Sequence, residues 1–220
     1  MELDISRQEL IIPNSVLTTS FMVIGAGSLG SNITNIIARM GARNITVYDN
    51  DILTPENLAP SFASRQDLSM PKVDALKAKL YAELGIEINA VNDAFGKQRG
   101  FSNVMVIAVD SLNMRRYIWN NHRYEYDIWI DARMGDDQAG VYTHVRGCPT
   151  EFYESTMERE EAQMLCGQKA TAPLCVGLVP GMVGVVIMRY LNQLSIPKEM
   201  FAKVLMPIMF YSISNPHQPV

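Results

Sequence analysis

Gly25-Ala26-Gly27-Ser28-Leu29-Gly30 follows a short apolar run, Phe21 to Ile24, and opens a segment in which Leu29, Ile33, Ile36, Ile37 and Met40 recur at helical spacing. Gly25 lets the backbone turn tightly after a strand, Gly27 lets it approach a phosphate, and Gly30 lets the following helix pack close. The N-terminus of that helix offers free N–H groups and a positive dipole end to an anion. Asp49 closes the next apolar run, Asn44 to Asp49, about 20 residues beyond the glycines, where a carboxylate meets a ribose hydroxyl. This combination predicts a strand–loop–helix unit that binds a nucleotide. It does not say which nucleotide.

The alternation continues along the chain. Ser69 and Pro71 mark a helix start, Val73, Leu76, Leu80 and Leu84 share one face, and Gly85 stops it. Ile86 to Val91 reads as a strand, and Val104 to Val109 as a continuous apolar strand of the buried parallel kind. A helix from Ser111 to about His122 and a strand from Ile128 to Asp131 complete the pattern. Right-handed crossovers then give a Rossmann-like doubly wound α/β fold, a mainly parallel sheet with helices on both faces. From Gly135 the pattern loosens into a less regular C-terminal extension. Gly140 to Val145 reads as a strand of different direction. Tyr153 to Leu165 reads as a helix whose Glu154, Glu158, Glu160 and Glu161 form a solvated face, and a core helix follows Cys175. The tail from Ser214 reads as an exposed end.

The 220 residues are enough to bury about 70% of the unfolded surface, so a core without disulfides is expected. Three cysteines, Cys148, Cys166 and Cys175, fit neither a disulfide scaffold nor a four-cysteine zinc site. A balance of 19 Lys+Arg against 23 Asp+Glu argues against a nucleic-acid or membrane binder. The segment from Ala170 to Met188 carries prolines and glycines that suit a buried helix better than a membrane span, and the first residues lack the basic-then-apolar order of a secretory leader. A cytoplasmic protein is expected.

The segment after Asp49 narrows the nucleotide. A dinucleotide-dependent oxidoreductase has no need of Asp51, Asn57, Arg65 and Lys72 in one polar connection. A triphosphate does: cations neutralise it, an amide orients it, and a carboxylate at a strand end holds Mg²⁺. Asp110, closing the strand at the sheet's C-terminal edge, is the candidate for that metal.

At this point the chain resembles the ThiF/MoeB/HesA superfamily, the adenylating enzymes related to ubiquitin-activating enzyme. Ser6-Arg7-Gln8 and Leu10-Ile11-Ile12-Pro13 are similar to the family's N-terminal segment. The glycine loop, the Asp49-x-Asp51 pair, Asn57, Pro71-Lys72 and Val109-Asp110-Ser111 fall on its further motifs. The resemblance covers Ser6 to Met134 and is looser from Gly140 to Leu191. It implies a single adenylation domain over residues 1–220, with an N-terminal arm (1–20), a nucleotide-binding core (21–134) and a crossover segment with C-terminal helices (135–220).

It implies that Gly25, Gly27 and Gly30 contact ATP, Asp49 binds its ribose beside Asp51, Asn57 and Lys72 hold phosphates, and Asp110 coordinates Mg²⁺. Arg7 would reach the γ-phosphate in a second subunit, so a homodimer is implied. The substrate implied is the C-terminal carboxylate of a ubiquitin-like protein or peptide, converted to an acyl-adenylate with release of pyrophosphate.

The chain departs from the family where Pro60 and Ser61 replace an Arg-Gln pair; Arg65 is the candidate to restore the cation. The zinc-binding Cys-x-x-Cys pairs are absent, which makes this a minimal form. An NAD(P)-dependent oxidoreductase and an inactive nucleotide-binding scaffold are the rival readings. Cys166 and Cys175 lie in the region where some members carry a thioester-forming cysteine, neither in register with the family pattern, and simple burial in the core is the other reading of both. Arg115 and Arg116 are expected on the solvated face of their helix rather than on phosphate, and Arg133 lies either along a substrate tail or in the scaffold. His144 and Cys148 have metal-like spacing but make too few ligands for zinc.

Overall fold

A computed structural model describes residues 3–96, 100–135, 138–158, 173–203 and 211–214. The core is one eight-stranded sheet: β1 (Ser20–Ile24), β2 (Asn44–Tyr48), β3 (Asn89–Val91), β4 (Ser102–Ile107), β5 (Tyr126–Gly135), β6 (Gln138–Val145), β7 (Pro197–Lys203) and β8 (Tyr211–Ser214). Their spatial order is β3-β2-β1-β4-β5-β6-β7-β8. β1 to β5 pair in parallel, and β6, β7 and β8 continue the sheet antiparallel. Order reverses between β1 and β4, the switch point at which doubly wound sheets bind ligands.

Helices cover both faces. α1 (Ser28–Arg39) buries Leu29, Ile33 and Ile37 on one stripe, α2 (Lys72–Leu84) buries Val73, Leu76 and Leu80, and α5 (Pro173–Leu191) buries Val179, Val183, Val186 and Ile187. These pack on the face of Phe21, Val23, Val104, Val106 and Ile130. Each such aliphatic side chain contributes about 1.5–3 kcal/mol by leaving water. On the opposite face α3 (Leu112–His122) and α4 (Glu151–Thr156) seal Met22, Ile24, Met105, Ile107 and Trp129. There Trp119 stacks edge-on to Trp129 at 5.2 Å between centroids and against Tyr153 at 4.4 Å.

The expected strands and helices are present with shifted ends. β3 is confined to Asn89–Val91, because Ile86 and Ile88 serve as buried core residues ahead of the ladder. β5 runs on to Gly135, so Asp131 is paired on both sides, to Ile107 and Tyr142, and Arg133 lies further along the strand, paired to Gly140 of β6. The acidic helix begins earlier, at Glu151, and ends at Thr156, short of the expected Leu165; Glu160 and Glu161 lie outside the described residues. β7 and β8 have no counterpart in the expected pattern. β7, Pro-Lys-Glu-Met-Phe-Ala-Lys, lacks apolar alternation, and its place comes from pairing to β6.

Candidate functional site

A cleft of about 920 Å³ opens at the C-terminal edge of the parallel strands, over the switch point. The glycine loop forms its floor. The Gly25 N–H donates to Tyr48 O at 2.8 Å, while the Ala108 N–H donates to Ile24 O at 2.8 Å, so the loop is clamped between the ends of β2 and β4. Gly25 has φ +100°, and a Cβ there would stand 2.7 Å from Ala108 O. A Cβ on Gly30 would stand 1.7 Å from Gly25 O, which is why α1 can sit directly on the loop. Gly27 faces open space and lines the cleft. No side chain caps α1, and its first helical bond is Ser31 N–H to Gly27 O, so the preceding amides are left for an anion.

Asp49 ties this loop to the next element. Its Oδ2 accepts the Ala26 N–H at 2.6 Å and its Oδ1 the Asp51 N–H at 2.8 Å. Each oxygen keeps a further lone pair for a hydroxyl. Asp51 holds Lys72 at 2.7 Å, with the lysine side chain 11% exposed and the aspartate 64%. With its carboxylate in solvent such a pair adds little stability; both residues line the cleft.

Asn57 ends a short helix, Pro55–Asn57, whose capping box settles its amide orientation. Its Oδ1 accepts both the Thr54 N–H at 3.1 Å and the Thr54 hydroxyl at 2.9 Å. The amide NH₂ makes no hydrogen bond among the described residues, and Asn57 lines the cleft. Asp110 follows β4 on the opposite wall, exposed and without a hydrogen bond among the described residues, and Ser111 beside it caps α3.

Gly25, Gly27, Asp49, Asp51, Asn57, Lys72 and Asp110 therefore converge on one cleft, and Gly30 supports it from beneath. Arg7 and Arg65 do not line it. The Gln8 amide donates to Arg39 O at 2.7 Å, which docks the N-terminal arm at the far end of α1, about 18 Å from the glycine loop for twelve residues. Arg65 lies exposed in a second capping box, Ser64 with Asp67, and stays out of the site. Where the family's arginine would stand, Pro60 O accepts from Asn32 Nδ2 at 3.0 Å and the Phe62 N–H bonds Ser31 Oγ at 2.9 Å, pinning that loop to α1.

Other expectations change. Arg115 is buried rather than solvated, and Arg133 is buried among scaffold groups: its guanidinium bonds Asp131, Thr156 O and Thr156 Oγ1. Asp131 is fully buried; burial alone would raise its pKa, but Arg115, then Arg133, and the hydrogen bonds of Arg133 and Tyr153 hold it below the ordinary carboxylate value. His144 donates Nε2–H to Cys148 O at 2.9 Å and accepts from the Tyr126 hydroxyl at 2.7 Å, a neutral scaffold role that agrees with a pKa lowered by burial. Cys166 lies outside the described residues, as does the side chain of Cys175.

Sequence reasoning passed over Asp93, Ala94, Phe95 and Gly96, which line the cleft after β3. Phe95 packs between Tyr48 at 5.0 Å and His122 at 4.7 Å, and His122 Nε2–H bonds Gly96 O at 2.8 Å. Their signal was position alone, since a loop after any parallel strand opens on this edge.

Fold and site together define a class: a doubly wound α/β protein with its candidate nucleotide cleft at the switch point. The chain belongs to the ThiF family, whose model matches residues 13–216. It is 32% identical over 103 residues to the NEDD8-activating enzyme E1 catalytic subunit of Arabidopsis thaliana, a match that spans 44% of this chain and 23% of that protein. Among solved structures it superposes on Escherichia coli MccB bound to ATP with TM-score 0.74 at 16% identity, covering 96% of this chain and 68% of that one. PaaA gives TM-score 0.72 at 14% identity, covering 96% and 69%. At these identities the structural likeness shows the fold.

Proposed function

We propose that this protein is an ATP- and Mg²⁺-dependent adenylyltransferase that activates the C-terminal carboxylate of a ubiquitin-like protein or peptide. The observation that carries the reading is the convergence on one cleft of an uncapped helix N-terminus, the Asn57 amide, the Lys72 ammonium and the Asp110 carboxylate, drawn from separate segments. A dinucleotide oxidoreductase explains the glycines and Asp49 but leaves the other three without a task. The kinship adds support: the Arabidopsis relative is an E1 catalytic subunit, and MccB has been solved with ATP and with MccA.

The donor set fits both groups. Open space above Gly27 and the bonded but unsaturated Asp49 carboxylate suit a nucleotide. Mg²⁺ is commonly held by one or two carboxylates together with substrate phosphates and water. Asp110 supplies one such carboxylate, and no cluster of three ligating side chains exists among the described residues. The cation then enters with the nucleotide.

In this reading Asp49 holds the ribose, the glycine loop and Asn57 orient phosphates, and Lys72 exchanges Asp51 for a phosphate oxygen. When bound, the metal neutralises the triphosphate. A substrate carboxylate oxygen attacks the α-phosphorus, the bond to the β-phosphate breaks, and pyrophosphate leaves. The chain contributes positioning and charge stabilisation.

The cleft sets Asp49, Asp51, Asp93 and Asp110 against Lys72 and Arg115, and Arg115 is already paired with Asp131; in this reading Arg7 of a second copy supplies a further cation. The pinned loop at Pro60 favours a second reading, a scaffold that binds nucleotide without turnover. Calorimetric titration is the first test. ATP should bind in the presence of Mg²⁺, and Lys72→Ala should weaken it about tenfold or more, the loss of one charge-assisted hydrogen bond. Tight NADH binding with no ATP binding would overturn the reading.

A further inference from the structure

Arg115 stands directly behind the cleft wall at 2% exposure. Its Nη1 donates to the Asp131 carboxylate and, at 3.5 Å, to Ile107 O; its Nη2 donates to Val109 O and, at 3.0 Å, to Ala132 O. Asp131 accepts further bonds from Arg133 and from the Tyr153 hydroxyl at 2.8 Å. Stability is a poor reason for such a cluster, because buried ion pairs are often replaced by apolar residues at no loss.

The acceptors point elsewhere. β4 stops at Ile107, and after the Ala108 N–H the next backbone tie is the Ser111 carbonyl at the start of α3. Between them, the bond from Arg115 to Val109 O is the tie among the described residues that anchors the peptide leading into Asp110. A planar guanidinium can hold this carbonyl, the β5 carbonyl at Ala132 and the Asp131 carboxylate at once; an ammonium cannot.

We infer that Arg115 is a positioning residue for Asp110: it fixes the Val109–Asp110 peptide against β5 and so sets the direction in which the Asp110 carboxylate meets the cation of an incoming metal–nucleotide complex. The inference rests on the proposed role of Asp110. Arg133 provides the control, since it shares Asp131 but ties it to Thr156 and α4 instead of to β4.

The test uses Mn²⁺ with ATP on the full chain, free Mn²⁺ being read by electron paramagnetic resonance, so that no activity is needed. Arg115→Lys should raise the half-saturating Mn²⁺ concentration about tenfold, as loss of a group that orients a metal ligand does. Arg133→Lys should stay within about twofold of wild type by the same measure. If the lysine variant melts below the assay temperature, Arg115→Gln carries the same expectation. An unshifted Arg115→Lys, or equal shifts in both variants, overturns the inference while wild-type binding keeps the functional reading intact. A wild-type chain that binds no Mn²⁺–ATP overturns the functional reading and this inference with it.

Discussion

Gly27 and Gly30 occupy one motif but answer to different forces. At Gly30 a methyl would collide with the Gly25 carbonyl, so Gly30→Ala should cost about 3 kcal/mol, the upper end of overpacking, seen as a fall in melting temperature. Gly27 opens on the cleft, so Gly27→Ala should leave the melting temperature nearly unchanged while weakening ATP binding. Titration adds a second prediction at this scale. His144 has a lowered pKa in the fold, so its contribution is present above the free value of about 6.5 and lost as pH falls below it. Asp131, also lowered, contributes above the ordinary carboxylate value of about 3.9 and loses that contribution below it. Melts across pH should therefore fall in two steps on acidification, and His144→Gln should flatten the first.

Among elements, the contact of α1 with α5 offers the sharpest packing test. A Cβ at Gly184 would lie 3.3 Å from Ile36 Cγ2, close enough that the helices leave little space for a side chain. Gly184→Leu should destabilise by about 1–3 kcal/mol in denaturant titration. The β1–α1–β2 unit was legible in the sequence because periodicity, glycine spacing and the closing Asp49 all name the same structure. Asn57, Lys72 and Asp110 were legible by type and position, although the capping box that turns the Asn57 amide outward was not. β7 was hidden because its residues carry no period of two and its place depends on β6. Arg115 was hidden for another reason. A charged residue on a helix after a strand reads as solvated, and only the tertiary meeting with Asp131 makes its burial tolerable.

For the whole molecule, the arm carrying Arg7 docks at the end of α1 away from its own cleft, and the cleft is short of positive charge. The proposed homodimer resolves both. Mixing Arg7→Ala with Asp110→Ala chains should restore activity that neither has alone, because one of the two sites in a mixed dimer carries both native residues. In the proposed dimer, Arg7 of the partner copy and a bound metal would offset the triphosphate's charge, which makes such a ligand compatible with a net charge of -4. No helix among the described residues is long and apolar enough to cross a membrane, in line with reading the apolar stretch near Pro173 as the core helix α5.

The central claim is chemistry at the α-phosphate, and ATP–pyrophosphate exchange reads that step. With labelled pyrophosphate, Mg²⁺ and candidate proteins or peptides ending in a free carboxylate, label should enter ATP only when a partner is present, and Asp110→Ala should abolish the incorporation. Nucleotide binding without exchange across the partners tried, in a chain that otherwise binds Mg²⁺–ATP tightly, would contradict the account and leave the scaffold reading in its place.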